Sequence, residues 1–335
     1  MSELTQETEE SEEQTVCDAI RSALHTEMER DDDVVLMGED VAEAGGVFRA
    51  TDGLLDAFGE DRVIDTPLAE NAIIGTAVGL AEHGLKPVAE IQFQGFMPIA
   101  FDQIVSQAAR MRFKTRGRFT CPLVIRSPYG TGVRSPEYHA ESKESWYVHE
   151  PGLKVVVPGS PYDAKGLLIS AMRDPDPVCF FEPQLIYRTF KESVPDGSYE
   201  VPIGEARVRR EGSDLTLLSW GAMTRPSLVA ASELEGDVDV EVIDLRTLYP
   251  FDRDTIVESL EKTGRAVIVH EAHRTLGMGA ELAAQLQEDA LLNLEAPINR
   301  LTGFDTPVPL KGMEDYYLPE PERITAAIRE TASYP

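Results

Sequence analysis

Glu70 is the carboxylate in this chain best placed to do chemistry. It ends the stretch Ile64-Asp65-Thr66-Pro67-Leu68-Ala69-Glu70, where a strand-like segment (Arg62 to Asp65) gives way to an apolar run from Ala72 to Ala81. Ile73, Ile74, Ala77, Val78, Leu80 and Ala81 cover most of the circumference of the helix that this run predicts, which implies burial on all sides. Gly75 and Gly79 lie four apart on one face, so close packing is expected there. A glutamate opening a buried helix needs a partner, or its pKa rises. The plain alternative is a charge that complements the helix dipole.

His139 is the second candidate. It lies in the polar loop Ser135-Pro136-Glu137-Tyr138-His139-Ala140-Glu141-Ser142, after an expected strand, Leu123–Arg126. Open α/β sheets place their sites outside the carboxyl ends of strands, so a loop histidine there can act as acid, base or hydrogen-bond donor. The alternative is an ordinary surface histidine. Other signals are weaker. Gly130-Thr131-Gly132 and Gly277-Met278-Gly279 read as a turn and a helix entry, and no Gly-Lys-Ser/Thr or Gly-x-Gly-x-x-Gly occurs. His270-Glu271-Ala272-His273 lacks the spacing that sets two imidazoles on one helical face, so it reads as polar residues at a strand end. Cys17, Cys121 and Cys179 have no metal or redox spacing and sit in apolar contexts, as free buried thiols do in a reducing cytosol.

The elements that position these residues alternate between strand and helix. Strands are expected at Val34–Gly38, Pro87–Phe93, Leu123–Arg126, Lys154–Val157 and Val178–Glu182. Helices are expected at Val16–Arg30, Phe96–Lys114 and Tyr162–Arg173. In the second of these, Met97, Ala100, Phe101, Ile104, Ala108 and Met111 form one stripe. Continuous apolar strands separated by helices imply a mainly parallel sheet covered on both faces. Residues 191–202, polar with two prolines and a glycine, read as a linker. A second α/β region follows, with strands expected at Asp214–Ser219, Val238–Asp244, Arg265–Val269 and Ile298–Leu301, and helices at Pro226–Glu235, Asp252–Lys262, Gly279–Asp289 and Glu322–Thr331. The expected organisation is an acidic disordered tail (1–13), an N-terminal α/β domain (14–190), the linker (191–202) and a smaller α/β domain (203–335).

Bulk composition narrows the function classes. The 335 residues suffice for two domains, and 42% hydrophobic content suffices for real cores. No apolar run is long enough to span a membrane, and the N-terminal residues carry six glutamates and no basic group, unlike a signal or transit peptide. The net charge of −28, from 59 acids against 31 bases, disfavours nucleic acid and anionic membranes as partners. Such self-repulsion calls for screening, which molar salt supplies, so the expectation is a cytoplasmic protein of an organism with a salt-rich interior.

Taken in order, GEDV (38–41), GGVFRATDGL (45–54), DTPLAE (65–70), EIQF (90–93), FDQI (101–104), RSPYG (126–130), PGLKVV (151–156), YDAKGLLIS (162–170), EVIDLRTLYP (241–250) and LEAPINR (294–300) carry a resemblance. From about residue 14 to the C-terminus the chain resembles the β subunit of the decarboxylating component of 2-oxoacid dehydrogenase complexes, the pyruvate and branched-chain enzymes. The resemblance implies an N-terminal pyrimidine-binding domain that takes thiamine diphosphate, with a mainly parallel sheet, and a C-terminal transketolase-like α/β domain. It also implies an α2β2 assembly in which the α subunit holds the diphosphate and its Mg²⁺. The family's metal–diphosphate pattern, Gly-Asp-Gly with a later Asn-Asn, is missing, and Asn71, Asn293 and Asn299 are the only asparagines.

Carried over by position, Glu70 matches the glutamate that hydrogen-bonds the aminopyrimidine and favours its imino form, while the thiazolium serves as the electron sink for decarboxylation. Phe96 matches the aromatic stacked on that ring, and Gln92 lies in the same pocket segment. Glu39 matches an acid near the cofactor suggested to relay protons; an ordinary strand-end acid is the alternative. His139 matches the histidine implicated in passing the acyl group to the lipoyl arm. A structural potassium site made of main-chain carbonyls maps onto Leu123, Ala171, Asp174 and Asp176. The implied partners are the α subunit, a 2-oxoacid, and a lipoyl acyltransferase core contacted through its subunit-binding domain. Two other readings compete: an acetoin dehydrogenase β subunit, and a non-catalytic assembly subunit, against which the joint presence of Glu70, Phe96 and His139 argues. A 1-deoxyxylulose-phosphate-type enzyme is disfavoured because it carries both cofactor halves in one chain.

Overall fold

The computed structural model describes residues 11–335, the side chain of Lys311 excepted. Its strands are β1 (Ser11–Gln14), β2 (Val34–Gly38), β3 (Val63–Asp65), β4 (Lys86–Glu90), β5 (Val124–Tyr129), β6 (Lys154–Val156), β7 (Val178–Pro183), β8 (Glu192–Pro195), β9 (Arg207–Arg210), β10 (Leu215–Ser219), β11 (Val240–Asp244), β12 (Thr247–Tyr249), β13 (Ala266–His273) and β14 (Asn299–Gly303). The α-helices are α1 (Val16–Arg30), α2 (Leu54–Phe58), α3 (Glu70–Glu82), α4 (Met111–Lys114), α5 (Glu144–Val148), α6 (Pro161–Arg173), α7 (Thr224–Glu233), α8 (Arg253–Thr263), α9 (Met278–Ala290), α10 (Glu314–Tyr317) and α11 (Pro321–Ala332).

The strands form a seven-stranded sheet in the order β12-β6-β7-β5-β4-β2-β3 and a five-stranded sheet in the order β14-β13-β10-β11-β9. Only β12 and β9, each at an edge, run antiparallel to their neighbours in these two sheets. Parallel strands need crossover connections, and helices on both faces supply them. Side-chain alternation shows the two faces. Leu36, Val88, Val124 and Phe180 point into a core shared with α1 and α6. Met37, Ala89, Ile125 and Phe181 point into another, shared with α3 and the 94–114 segment. Both cores continue into the C-terminal sheet, through Leu217 and Val242 on one side and Leu218 and Ile243 on the other. The C-terminal domain also lends β12 to the N-terminal sheet. The three cysteines are free and buried, as expected.

Three expectations need correction. The helix over Phe96–Lys114 is broken into a 3-10 stretch (Gln94–Ala100), a π stretch (Gln103–Ala108) and α4. Pro98 lies inside the first stretch and supplies no N–H for a regular helical bond. The apolar stripe survives the change of pitch: Met97, Ala100, Ile104, Ala108 and Met111 are all buried. Second, α3 is not buried all round, for Asn71, Ala72 and Thr76 are exposed. Gly75 faces Gln103, while a Cβ on Gly79 would meet nothing within 4 Å. Third, the end of the acidic tail and the linker are paired. β1 and β8 form an antiparallel ribbon with Glu12 opposite Val194. Residues 1–10 of that tail lie outside the described residues. The linker is held to α6 as well: Lys165 Nζ donates to the carbonyls of Pro195 (2.6 Å) and Asp196 (2.9 Å), and Val201 N donates to Gly166 O.

Candidate functional site

β5, β4, β2 and β3 are neighbours in that order and run parallel. Their carboxyl ends therefore release four consecutive loops on one edge of the sheet. Those loops carry, in the same order, His139; Gln92, Phe93 and Phe96; Glu39; and Glu70. The sheet brings together every catalytic and cofactor-contacting residue expected from the sequence.

Glu70 opens α3 and is 7% exposed. Ala69 at the N-cap gives the helix no side-chain bond, so the carboxylate sits at the positive end of an uncapped helix. Among the described residues no group hydrogen-bonds that carboxylate. Its segment is positioned by β3: Asp65 accepts from the backbone N–H of Ala42 (2.7 Å) and Glu43 (3.3 Å), and Thr66 N donates to Gly38 O (2.8 Å). These bonds hold the loops after β2 and β3 side by side. Glu39 is half-buried there. Burial raises its pKa, and the charges of Asp40 and Glu70 raise it further. Gln92 Nε2 donates to Glu39 O (3.4 Å) and to Asp40 Oδ2 (3.2 Å), joining the loop after β4 to the loop after β2.

An aromatic cluster forms the other wall. The His139 ring lies 4.4 Å from Phe93 and 5.1 Å from Phe96, centroid to centroid, in edge-to-face geometry. Phe93 and Phe96 meet at 6.0 Å and 88°. His139 Nδ1 is 2.9 Å from Glu137 O, which fixes the ring, and leaves Nε2 as the nitrogen free for proton transfer. A buried carboxylate with no donor among the described residues, on a helix packed against the stretch that carries half-buried Phe96, suits a flat heterocycle bearing N–H groups.

Sequence reasoning missed what stands behind these residues. Arg126 on β5 is fully buried, bridging Glu90 on β4 (2.8 Å) and Glu182 on β7 (2.6 and 3.0 Å), and Tyr187 Oη donates to Glu182 at 2.5 Å. Burial opposes the Arg126 charge, yet Glu182 and Glu90 hold its pKa above the ordinary value; burial raises that of Glu90. The signal was legible: a charge inside each of three apolar strands demands a buried partner. Glu271 is also buried, on β13. Burial pushes its pKa up to about 8, offset in part by bonds from Thr131 and reinforced by Glu144. His270 stacks on Trp220 at 5.0 Å, and burial with Arg300 and Arg274 pushes its pKa down to about 3, so it is a core imidazole. The His270–His273 string closes β13, as polar residues at a strand end.

The potassium positions fall on the opposite edge. Leu123 precedes β5, and Asp174 and Asp176 precede β7, at the amino ends of those strands. Leu123 O accepts from Val178 N (2.9 Å) and Ala171 O from Asp174 N (3.3 Å). The Asp174 carboxylate pairs with Lys154, and that of Asp176 with Arg112 at 2.8 Å. Among the described residues, no group of three or more His, Cys, Asp and Glu side chains is arranged to hold a metal ion. No described helix is long and apolar enough to cross a membrane.

Comparison with known proteins agrees with this layout. The family model for the transketolase pyrimidine-binding domain matches residues 12–189, and that for the transketolase C-terminal domain matches residues 204–324. The pyruvate dehydrogenase E1 component subunit beta of Staphylococcus epidermidis (strain RP62A) is 52% identical over 321 residues, covering 96% of this chain and 99% of its own. Its counterpart in Staphylococcus aureus (strain Mu50) gives the same figures. A solved structure of a split gene transketolase, described as an inactive beta4 tetramer, superposes with a TM-score of 0.74 over 96% of this chain and 98% of that chain. Its 21% identity makes this a likeness of fold alone. The chain belongs to the transketolase pyrimidine-binding family, in the branch that holds the pyruvate dehydrogenase E1 beta subunits.

Proposed function

We propose that this chain is the β subunit of a thiamine-diphosphate-dependent 2-oxoacid dehydrogenase component, contributing the aminopyrimidine half of a site completed by an α subunit. The observation that carries the reading is the convergence of Glu39, Glu70, Gln92, Phe96 and His139 on one sheet edge. Glu70 would bind a ring nitrogen of the cofactor, and Phe96, with Gln92 nearby, would hold the ring in place. The bound cofactor supplies the electron sink that makes loss of CO2 from a 2-oxoacid feasible. Glu70 is held in place because it opens α3, which fixes its backbone. Glu39, whose proton is held more tightly than an ordinary glutamate's, is the acid suited to exchange protons with that site. His139, with Nδ1–H donating to Glu137 O, would present Nε2 to the lipoyl group and, after taking up a proton there, would pass it to the sulfur released when the disulfide opens.

The α subunit would hold the diphosphate and its Mg²⁺. A surface for a partner is available on α3, where Ala72, Thr76 and Gly79 leave a flat face uncovered by this chain. The lipoyl acyltransferase core, reached through its subunit-binding domain, is the proposed acceptor. The proposed location is the cytoplasm of a salt-rich cell. Potassium at Leu123, Ala171, Asp174 and Asp176 stays a positional proposal, supported by the second lone pair that the Leu123 and Ala171 carbonyls retain. The test is turnover with an artificial electron acceptor in molar KCl, for this chain alone and with its co-expressed α partner. Pyruvate and branched-chain 2-oxoacids are offered with and without thiamine diphosphate and Mg²⁺. Activity that requires both partner and cofactor is the expected result. Activity of the chain alone, or of the assembly without cofactor, would refute it.

A further inference from the structure

The loop that carries His139 is fastened from the other domain. Gly130 N donates to Glu141 O at 2.9 Å, which closes residues 130–141 into a compact loop. From β13, Glu271 accepts both the backbone N–H of Thr131 (2.9 Å) and its hydroxyl (3.2 Å). From α10, Glu314 accepts the N–H of Gly132, and the neighbouring Asp315 pairs with Arg134 at 3.0 Å. Glu271 and Glu314 are each 3% exposed, and the bonds from Thr131 to Glu271 are buried, with no water to replace them. Their approach is tight: a Cβ on Gly130 would lie 2.5 Å from both Glu271 oxygens. The N-terminal domain completes the seat. Gln184 Nε2 donates to the carbonyls of Gly130 and His139, and Lys143 N donates to Gln94 Oε1 at 2.6 Å. Arg134–Asp315 is solvent-exposed and adds little.

We infer that Glu271 and Glu314 are positioning residues for acyl transfer: the C-terminal domain uses them to hold the His139 loop against Phe93 and Phe96. Neither carboxylate lies in the cluster of Glu39, Glu70, Gln92 and Phe96, and both act only through the loop. The inference rests on the function proposed above, since it takes His139 as the group that serves the lipoyl acceptor.

The experiment compares the co-expressed α/β component carrying E271A, E314A or E271Q with the unaltered component. Two turnovers are read, with an artificial electron acceptor and with a lipoyl domain, together with the rate of tryptic cleavage after Arg134. E271A and E314A should lower lipoyl acylation by about tenfold or more relative to artificial-acceptor turnover. Cleavage after Arg134 should speed up in both. E271Q, whose amide oxygen can still accept from Thr131, should restore both readouts. Equal losses in the two assays, or no loss in either, would overturn the inference, as would an unchanged cleavage rate. E314A alone decides if E271A does not assemble. If the unaltered component decarboxylates nothing, the proposed function fails, and the cleavage rate still tests whether the two carboxylates hold the loop.

Discussion

Glu70 and His139 stand on one sheet edge but on separate loops, after β3 and β5. In the proposed function Glu70 would serve the cofactor ring and His139 the acceptor, so H139A should cut lipoyl acylation by about 10²-fold or more while artificial-acceptor turnover falls far less. Equal losses in the two assays would remove its special role. Glu271 gives a prediction in pH. Its carboxyl holds a proton up to about pH 8 in the fold, faced by Thr131, Tyr129, Glu144, Glu314 and Tyr317. An unfolded glutamate releases that proton near its ordinary pKa. Between those two values the folded chain binds the extra proton, so stability falls as pH rises and levels off above about 8. E271Q does not titrate and should gain on the wild type across that window. Melting curves from about pH 5 to 9 in molar KCl check this; parallel curves for the two proteins would refute it. Glu70 and His139 were legible because each stands beside an expected strand end. Glu271 and Glu314 were not: their partners are backbone N–H groups far away in the chain, and a buried carboxylate on a strand looks like any strand-end acid.

Elements explain why the site forms where it does. The strands and helices with a clean period were readable within a few residues, and α1 and β2 match their expected ranges residue for residue. α1 is fixed by its own capping box, Thr15 with Asp18, which is local information. What escaped was information held elsewhere in the fold. β8 is a strand only because β1 pairs with it, and no pattern within 191–202 reports that. The 94–114 segment keeps an apolar stripe but changes pitch, because Pro98 lacks the N–H of a regular helix and Gly95 lies against the His139 loop. A Cβ on Gly95 would lie 1.9 Å from the carbonyl oxygen of Tyr138, so glycine there lets the His139 loop lie on this segment. G95A should therefore displace the loop, lowering stability by about 1–3 kcal/mol as overpacking does, and reducing lipoyl acylation. Denaturant unfolding and the acylation assay check this; an unchanged midpoint and rate would show that the loop is not seated on Gly95.

For the whole molecule, charge and shared cores set the conditions of work. The N-terminal and C-terminal parts share their packing. β12 crosses into the N-terminal sheet, both hydrophobic cores are continuous, and the His139 loop is held from the C-terminal side. The two domains are expected to unfold together. With a net charge of −28, cooperative folding should need screening, since the Debye length drops to about 3 Å near 1 M salt. A melting temperature that does not change from low salt to molar KCl would count against the salt-rich origin. In the proposed function Glu70 supplies the group that activates the cofactor in a site shared with a partner. The most direct test of this is artificial-acceptor turnover of the α/β component carrying E70Q, beside sedimentation of the same sample. Turnover should fall by about 10²-fold or more with assembly intact. Near-normal turnover from an assembled E70Q component would contradict the account.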